Sequence, residues 1–278
     1  MTQGQQKNWP TSYATFKLAL SRFGKQIWPA SLLMLVQLTW FFFVSSALLV
    51  TSALNEEAEL VFNSGVSLII IGMTLAYFVI MSIVSTRLAQ HDEPSGFVKL
   101  FDHKTWRLLL PAALLMMGYT LSVVVGSFLL VIPGILAFLF FSMTPFILIW
   151  EEMGVVDSFR QSFEYVKGLG WHLLMRVNFF LFFLAITRVF AIIPGSGQTV
   201  SFVLSLFVGV FAPFYMGEVY RQVVLAQKNK LENQVTTGTK ALALIYGVLA
   251  LLLLMAVVGL ADFVSAIYPY PFAVLSVF

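Results

Sequence analysis

The chain has 278 residues, 59% of them hydrophobic and 10% charged, with 16 Lys and Arg against 13 Asp and Glu and a mean hydropathy of +0.90. Soluble domains are about 45–50% apolar and about 25% charged, so this composition excludes a soluble enzyme, a coiled coil and a disordered chain, and makes a bilayer the natural solvent. With no cysteine, disulfides, cysteine-ligated zinc and cysteine nucleophiles are excluded as well.

The first 26 residues carry Lys7, Lys17, Arg22 and Lys25, and Tyr13, Phe16, Leu20, Phe23 and Ile27 recur at alternating spacings of three and four. That pattern predicts an amphipathic helix with an apolar stripe opposite Lys17, Arg22 and Lys25. Two readings are open: a helix lying in the interface on anionic lipid, or a connector packed on neighbouring spans. Crossing a hydrocarbon core of roughly 30 Å takes about 20 mostly apolar residues. Segments of that kind are predicted at 27–50, 65–84, 108–132, 134–150, 171–193, 200–217 and 241–261. The first is too long and starts too late for a cleaved signal peptide. The fourth and sixth are short, and the fifth is interrupted by Arg176 and Arg188.

Positive residues in short loops stay in the cytoplasm. Lys7, Lys17, Arg22 and Lys25 precede the first span, whereas Glu56, Glu57 and Glu59 follow it without a Lys or Arg. Arg87, Lys99, Lys104 and Arg107, then Arg160, Lys167 and Arg176, then Arg221, Lys228, Lys230 and Lys240 mark the later cytoplasmic loops. The N-terminus is therefore expected in the cytoplasm and the tail 262–278 outside.

An internal repeat organises the chain. Phe16-Lys17 leads to Trp28 with Leu20 between them, and Phe159-Arg160 leads to Trp171 at the same spacing with Phe163 between them. A shortened copy runs from Phe97 through Phe101 to Trp106, and Ile132-Pro133-Gly134 matches Ile193-Pro194-Gly195 as an outer turn. The following spans carry Pro145-Phe146 before Glu151 and Pro213-Phe214 before Glu218. Each unit reads as a cytoplasmic surface helix, a span out, a tight turn and a span back. The second complete surface helix has Val156, Phe159, Phe163 and Val166 opposite Arg160, Gln161, Glu164 and Lys167.

The stretch 132–171 resembles the membrane domain attached to some glycerophosphoryl diester phosphodiesterases and its stand-alone, uncharacterised bacterial inner-membrane relatives. Ile132-Pro133-Gly134, the acid at Glu151 or Glu152, and Ser158-Phe159-Arg160-Gln161-Ser162 leading to Lys167-Gly168 are similar to that family's central signature. Phe214-Tyr215 through Tyr220-Arg221 resembles its closing span, so the likeness covers residues 11–225. The phosphodiesterase barrel, about 250 residues in itself, is not present. The resemblance implies an architecture and a membrane, with no catalytic residue to carry over.

A search for chemistry agrees. His91-Asp92-Glu93 and Asp102-His103 share one loop and are of types that ligate metal or move protons, but they lack helical ligand spacing and read as the polar residues of a short loop. No phosphate loop, nucleophile elbow or His-Glu-x-x-His is present, and the basic residues are spread over four loops, which gives nucleic acid no footprint. Arg176 and Glu218, near one membrane face on antiparallel spans, read as a snorkelling arginine and a boundary acid or as a pair, and Arg188 near the other face could line a polar cavity or reach headgroups.

The chain is thus expected to be an all-α, polytopic membrane protein of six to seven transmembrane helices with amphipathic interfacial helices, built from pseudo-repeated pairs. It forms a single integral membrane domain over 1–278, with a cytoplasmic segment 1–26, a repeat-built core 27–225 and an additional span 241–261. Functionally it reads as a non-enzymatic protein of the bacterial inner membrane, without cofactor. It would be a scaffold touching the anionic cytoplasmic leaflet, with a membrane-protein partner or a second copy of the chain compatible. A transporter or exporter of a small amphipathic compound is the alternative.

Overall fold

A computed structural model describes residues 10–52, 59–92, 101–129, 137–167, 169–190 and 196–228. The outer turns at 131–134 and 192–195, the acidic loop 53–58 and the segment holding the seventh expected span, 241–261, lie outside those residues. All regular structure among the described residues is helical: α1 (Ser12–Lys25), α2 (Ile27–Ser52), α3 (Glu59–Gln90), α4 (His103–Arg107), α5 (Leu109–Leu129), α6 (Thr144–Trp150), α7 (Val155–Val166), α8 (Gly170–Val189) and α9 (Ser196–Lys228). α6 is the regular end of an apolar helical stretch, Ala137–Trp150.

Local chemistry sets several of these boundaries. Thr11 caps α1 by accepting from the Ala14 amide at 3.2 Å, and Arg22 and Lys25 fall in the last turn, where cations suit the helix dipole. Asp102 caps α4 through the Thr105 amide at 2.9 Å. Pro213 sits inside α9 and cannot bond the carbonyl of Gly209. The Gln37 amide of α2 lies against Gly209, its Nε2 3.8 Å from where a Cβ would stand, which gives a polar residue in an apolar helix a structural neighbour.

Four helical segments among the described residues are long and apolar enough to cross a membrane: Ile27–Ser46, Gly72–Gln90, Gly170–Thr187 and Thr199–Gln227. The stretches Leu109–Ser122 and Ala137–Trp150 are apolar but shorter. The helix that holds the second predicted span, 65–84, runs on to Gln90, and the sixth apolar segment runs ten residues past its predicted end at 217. Both extensions have one cause. Helical backbone continues through Arg87 and through Glu218 and Arg221, because their charges find partners at the helix ends. On α5, Leu110, Leu114, Met117, Leu121 and Val125 form an exposed stripe, the face that a bilayer, rather than water, covers.

Packing follows a regular plan. α3, α6 and α9 meet at the charged end of the bundle: Trp150 Nε1 donates to the Thr86 carbonyl at 2.9 Å, and the Tyr220 ring lies 5.7 Å from that of Phe146 and 5.2 Å from that of Trp150. α2 packs on α3 and α9, α5 on α3 and α6, and α8 on α9. The surface segments dock on these same inner helices: α1 on α9, α7 on α6, and α4 by hydrogen bonds to Arg87 of α3.

The docking faces of α1 and α7 differ from the expected apolar stripes. α1 buries Thr15, Ala19 and Phe23, and α7 buries Ser158, Ser162 and Val166. Small side chains allow the close approach; the Ser162 hydroxyl donates to the Phe140 carbonyl at 2.6 Å. Phe16 and Phe23 do enter the core, against Phe179, Phe211 and Phe214. The rest of the stripe faces outward: Tyr13 is 70% exposed and Leu20 44%, and at the same offsets on α7 Val156 is 79% and Phe163 42% exposed. Each helix is therefore both a connector and the bearer of an outward apolar edge.

Candidate functional site

The charged end of the bundle is assembled from three segments distant in sequence. α1 presents Arg22, the residues after α3 present Asp92, and α9 presents Glu218 and Arg221. Arg22 Nε lies 3.0 Å from Glu218 Oε2, and its Nη1 pairs with Asp92. Arg221 approaches Glu218 at 3.6 Å and Asp92 at 3.7 Å. Two acids and two guanidiniums alternate around a closed circuit, so each charge has opposite charges on both sides, as partial burial requires.

Neighbouring contacts tighten this circuit. Arg221 Nη2 donates to the carbonyls of Ala89 and Gln90 at 3.1 and 2.8 Å, serving the end of α3 where intrahelical partners run out. Its guanidinium stands 5.0 Å above the Trp150 ring. The Thr15 hydroxyl donates to Gln222 Oε1 at 3.1 Å, and Gln26 Nε2 to the His91 carbonyl at 3.2 Å. Beside it, Glu151 accepts from the Tyr220 hydroxyl and, at 3.2 Å, from that of Tyr165. Burial raises Tyr165 above the usual phenol range, a hydrogen bond with Gln161 opposes the rise, and the Glu151 carboxylate adds to it.

Arg87, expected to flank the loop after the second span, lies in the last turn of α3. It donates to Asp102 at 2.5 Å and to the Thr105 hydroxyl at 2.6 Å. Burial would raise the Asp102 carboxyl, but the hydrogen bonds from Thr105 and Arg87 outweigh it and hold the group below its ordinary value. Lys104 and Glu152 form an exposed pair at 3.0 Å, of a kind that contributes little. Glu152 has a φ of 54°, a left-handed conformation at the turn into α7.

One open reading is decided and one expectation is corrected. Arg176 and Glu218 belong to different contacts: Glu218 is met by Arg22 and Arg221, whereas Arg176, 3% exposed, donates to the carbonyls of Pro10 at 2.7 Å and His172 at 3.1 Å. The α8–α9 interface at Arg176 is instead joined by Tyr215, whose hydroxyl donates to the Arg176 carbonyl at 3.0 Å. Arg22, expected to face lipid with Lys17 and Lys25, points into the ion circuit, because its position on α1 falls beside α9 while theirs are exposed. Arg160 and Lys167 are exposed on and just after α7. The side chain of Arg188 lies outside the described residues.

The sequence reading missed Asp92 and Arg221 as partners of Arg22. In the sequence Asp92 stands in a loop whose residue types suggest metal or proton chemistry, and Arg221 stands as a topological charge and part of the family resemblance, so neither points to Arg22. Among the described residues no group of three His, Asp, Glu or Cys side chains is placed to hold a metal ion. His91 is exposed, and His103 accepts from Arg107 Nε at 3.0 Å. At this end Glu218 and Asp92 are paired with arginine and Glu151 is hydrogen-bonded by two tyrosine hydroxyls, an arrangement suited to locking helices together. Comparisons with protein-family models, with curated proteins and with solved structures give no match for this chain.

Proposed function

We propose that the chain is a non-enzymatic scaffold of the bacterial inner membrane, with its charged end in the cytoplasm and its outward amphipathic edges seated in the anionic leaflet. The observation that carries this reading is the matched outward face of α1 and α7. Tyr13 and Leu20 on one helix, and Val156 and Phe163 on the other, stand exposed beside the exposed cations Lys17, Lys25, Arg160 and Lys167. An exposed apolar edge beside bases is what an interfacial helix presents to anionic lipid. Trp28, 81% exposed at the start of α2, adds an aromatic anchor of the type found at headgroup level.

The same burial pattern supports a repeated unit of surface helix, outgoing span and returning span. In this reading α3, α6 and α9 are the three returning helices. Each surface segment docks on the returning helix of the preceding unit, with α1 on α9 closing the circuit. Six crossings plus the segment 241–261 make seven, with the N-terminus cytoplasmic and the C-terminus external by the charge tally. The likeness to the phosphodiesterase-associated membrane domain belongs to this proposal, as does a membrane-protein partner or a second copy as the bound protein.

The test is lipid selection. Each basic residue near an anionic surface contributes roughly 1 kcal/mol, or roughly 4 kcal/mol for four, so changing Lys17, Lys25, Arg160 and Lys167 together to Gln is expected to remove most of the co-purified phosphatidylglycerol while the protein still inserts. Unchanged lipid selection would contradict the proposal. One observation favours a second reading, transport of a small amphipathic compound: Arg176, Asn178 and Thr187 are buried polar residues along the single apolar helix α8, and polar groups at membrane depth often mark a path.

A further inference from the structure

The sequence pattern and the docking contacts select different faces of α1. Tyr13, Phe16, Leu20, Phe23 and Ile27 form the apolar stripe, whereas Thr15, Ala19 and Phe23 form the buried face. At about 100° per residue the two faces are centred about 80° apart around the helix. α7 has the same offset: its stripe is Val156, Phe159, Phe163 and Val166, and its buried face is Ser158, Ser162 and Val166. At equivalent positions each helix is tied to the acid that follows the Pro-Phe pair of a returning helix. Arg22, six residues after Phe16, meets Glu218, and Tyr165, six after Phe159, donates to Glu151. The ties differ in kind. Tyr165 is an uncharged phenol, whereas Arg22 is held by charge, through Glu218 and Asp92, and its side chain is 26% exposed. Arginine pairs with phosphate as well as with carboxylate, so anionic headgroups compete for Arg22 and have no cation to compete for at Tyr165.

We propose that α1 is a two-position latch: docked on α9 by the ion circuit, and rolled by about 80° into the leaflet when anionic headgroups take Arg22. The proposal rests on the reading of α1 as an interfacial helix. Tyr13, Leu20 and Ile27 already face outward. The roll brings Phe16 and Phe23 to their side, so that the whole stripe lies in lipid and Arg22 joins Lys17 and Lys25 among the phosphates. Hydrocarbon is as apolar as a protein core, and the two rings lose little in the exchange. The docked position has instead the Arg22 ion pairs and the Thr15–Gln222 hydrogen bond. Each position satisfies groups that the other leaves without their partners, which makes α1 a bistable element that a change of surface charge biases. Rolling uncovers Glu218 and Gln222, both buried in the docked protein, toward the cytoplasm. α7, tied by a phenol, stays docked.

The chain has no cysteine, so Ala19→Cys on α1 and Ser162→Cys on α7 report on the two helices separately. The positions are equivalent, three residues after Phe16 and three after Phe159, and both are fully buried in the docked protein. In nanodiscs of phosphatidylcholine both thiols are expected to react slowly with a water-soluble maleimide. With half of the lipid replaced by phosphatidylglycerol, labelling of A19C relative to S162C is expected to rise about fivefold, the equivalent of roughly 1 kcal/mol for one basic residue at an anionic surface. The ratio cancels the effect of lipid charge on thiol reactivity. Arg22→Gln in the A19C protein is expected to label faster in phosphatidylcholine and to lose the response to phosphatidylglycerol, while S162C stays protected in the same background. A ratio that is equal in the two lipids, or that falls with phosphatidylglycerol, would overturn the latch. A rise that persists with Arg22→Gln would overturn it too, because Arg22 would not be the residue the headgroups take. If lipid selection by Lys17, Lys25, Arg160 and Lys167 holds while the ratio stays flat, the latch falls and the interfacial reading stands; loss of both removes both.

Discussion

Glu218→Ala is expected to cost the folded protein about 2–3 kcal/mol, read as a lowered melting temperature in mild detergent. The Glu218 side chain is only 8% exposed, and its removal leaves Arg22 and Arg221, at 26% and 22%, facing each other with Asp92 as the sole remaining acid of the circuit. Breaking a fully buried pair costs roughly 3–5 kcal/mol; the partial exposure of both arginines brings the figure down. The change also loosens α1, because Arg22 is its ionic tie to α9. A double-mutant cycle separates this account from the pairing that the sequence suggested. Arg22→Gln with Glu218→Gln is expected to show a coupling of at least about 1 kcal/mol, whereas Arg176→Gln with Glu218→Gln is expected to be additive within about 0.5 kcal/mol. The reverse result would reinstate the Arg176–Glu218 contact.

Gly217→Val is expected to destabilise by about 2–3 kcal/mol, and Gly217→Ala by less. A Cβ at Gly217 would stand 2.9 Å from Trp150 Cη2 and 3.1 Å from Cζ2, with Phe146 Cε1 at 3.4 Å. The indole cannot swing aside freely. Its Nε1 is bonded to the Thr86 carbonyl, its face carries Arg221 and its edge meets Tyr220. Overpacking of a fixed aromatic cluster costs typically 1–3 kcal/mol, and here the strain falls on the point where α3, α6 and α9 meet. Denaturation of the purified variants gives the numbers; a Gly217→Val protein as stable as the wild type would mean that α6 and α9 do not approach as closely as described.

The apolar helices were legible because length and composition alone define them, and the first, second, fifth and sixth predicted spans fall on α2, α3, α8 and α9. Their ends were not legible. Hydropathy falls at Arg87 and Glu218, yet the backbone stays helical because Asp102 and Thr105, or Arg22 and Arg221, compensate the charge, and those partners come from other parts of the chain. The docking face of the surface helices was hidden for a related reason. Periodicity marks large apolar residues, whereas α1 and α7 approach their neighbours through Thr15, Ala19, Ser158 and Ser162, small residues that carry little signal in a hydropathy pattern. Phe23 and Val166, at the end of each buried face, were the legible part. In the charged cluster, Glu218 and Glu151 stood out as acids closing apolar runs. Their partners, Arg22 and Tyr220, could not be chosen from among several cations and phenols without the fold, since Arg22 and Glu218 are nearly two hundred residues apart.

Interfacial seating of α1 and α7 is the central claim, and a chain free of cysteine allows it to be measured by single-cysteine spin labelling. Labels introduced in separate variants at Tyr13, Leu20, Val156 and Phe163 are expected to collide preferentially with oxygen, which concentrates in the bilayer. Labels at Lys17 and Arg160, on the same two helices, are expected to collide preferentially with a water-soluble nickel chelate. The two helices should give the same alternation at equivalent offsets. Uniform accessibility to the nickel chelate at all six positions would place both helices in water and contradict the account.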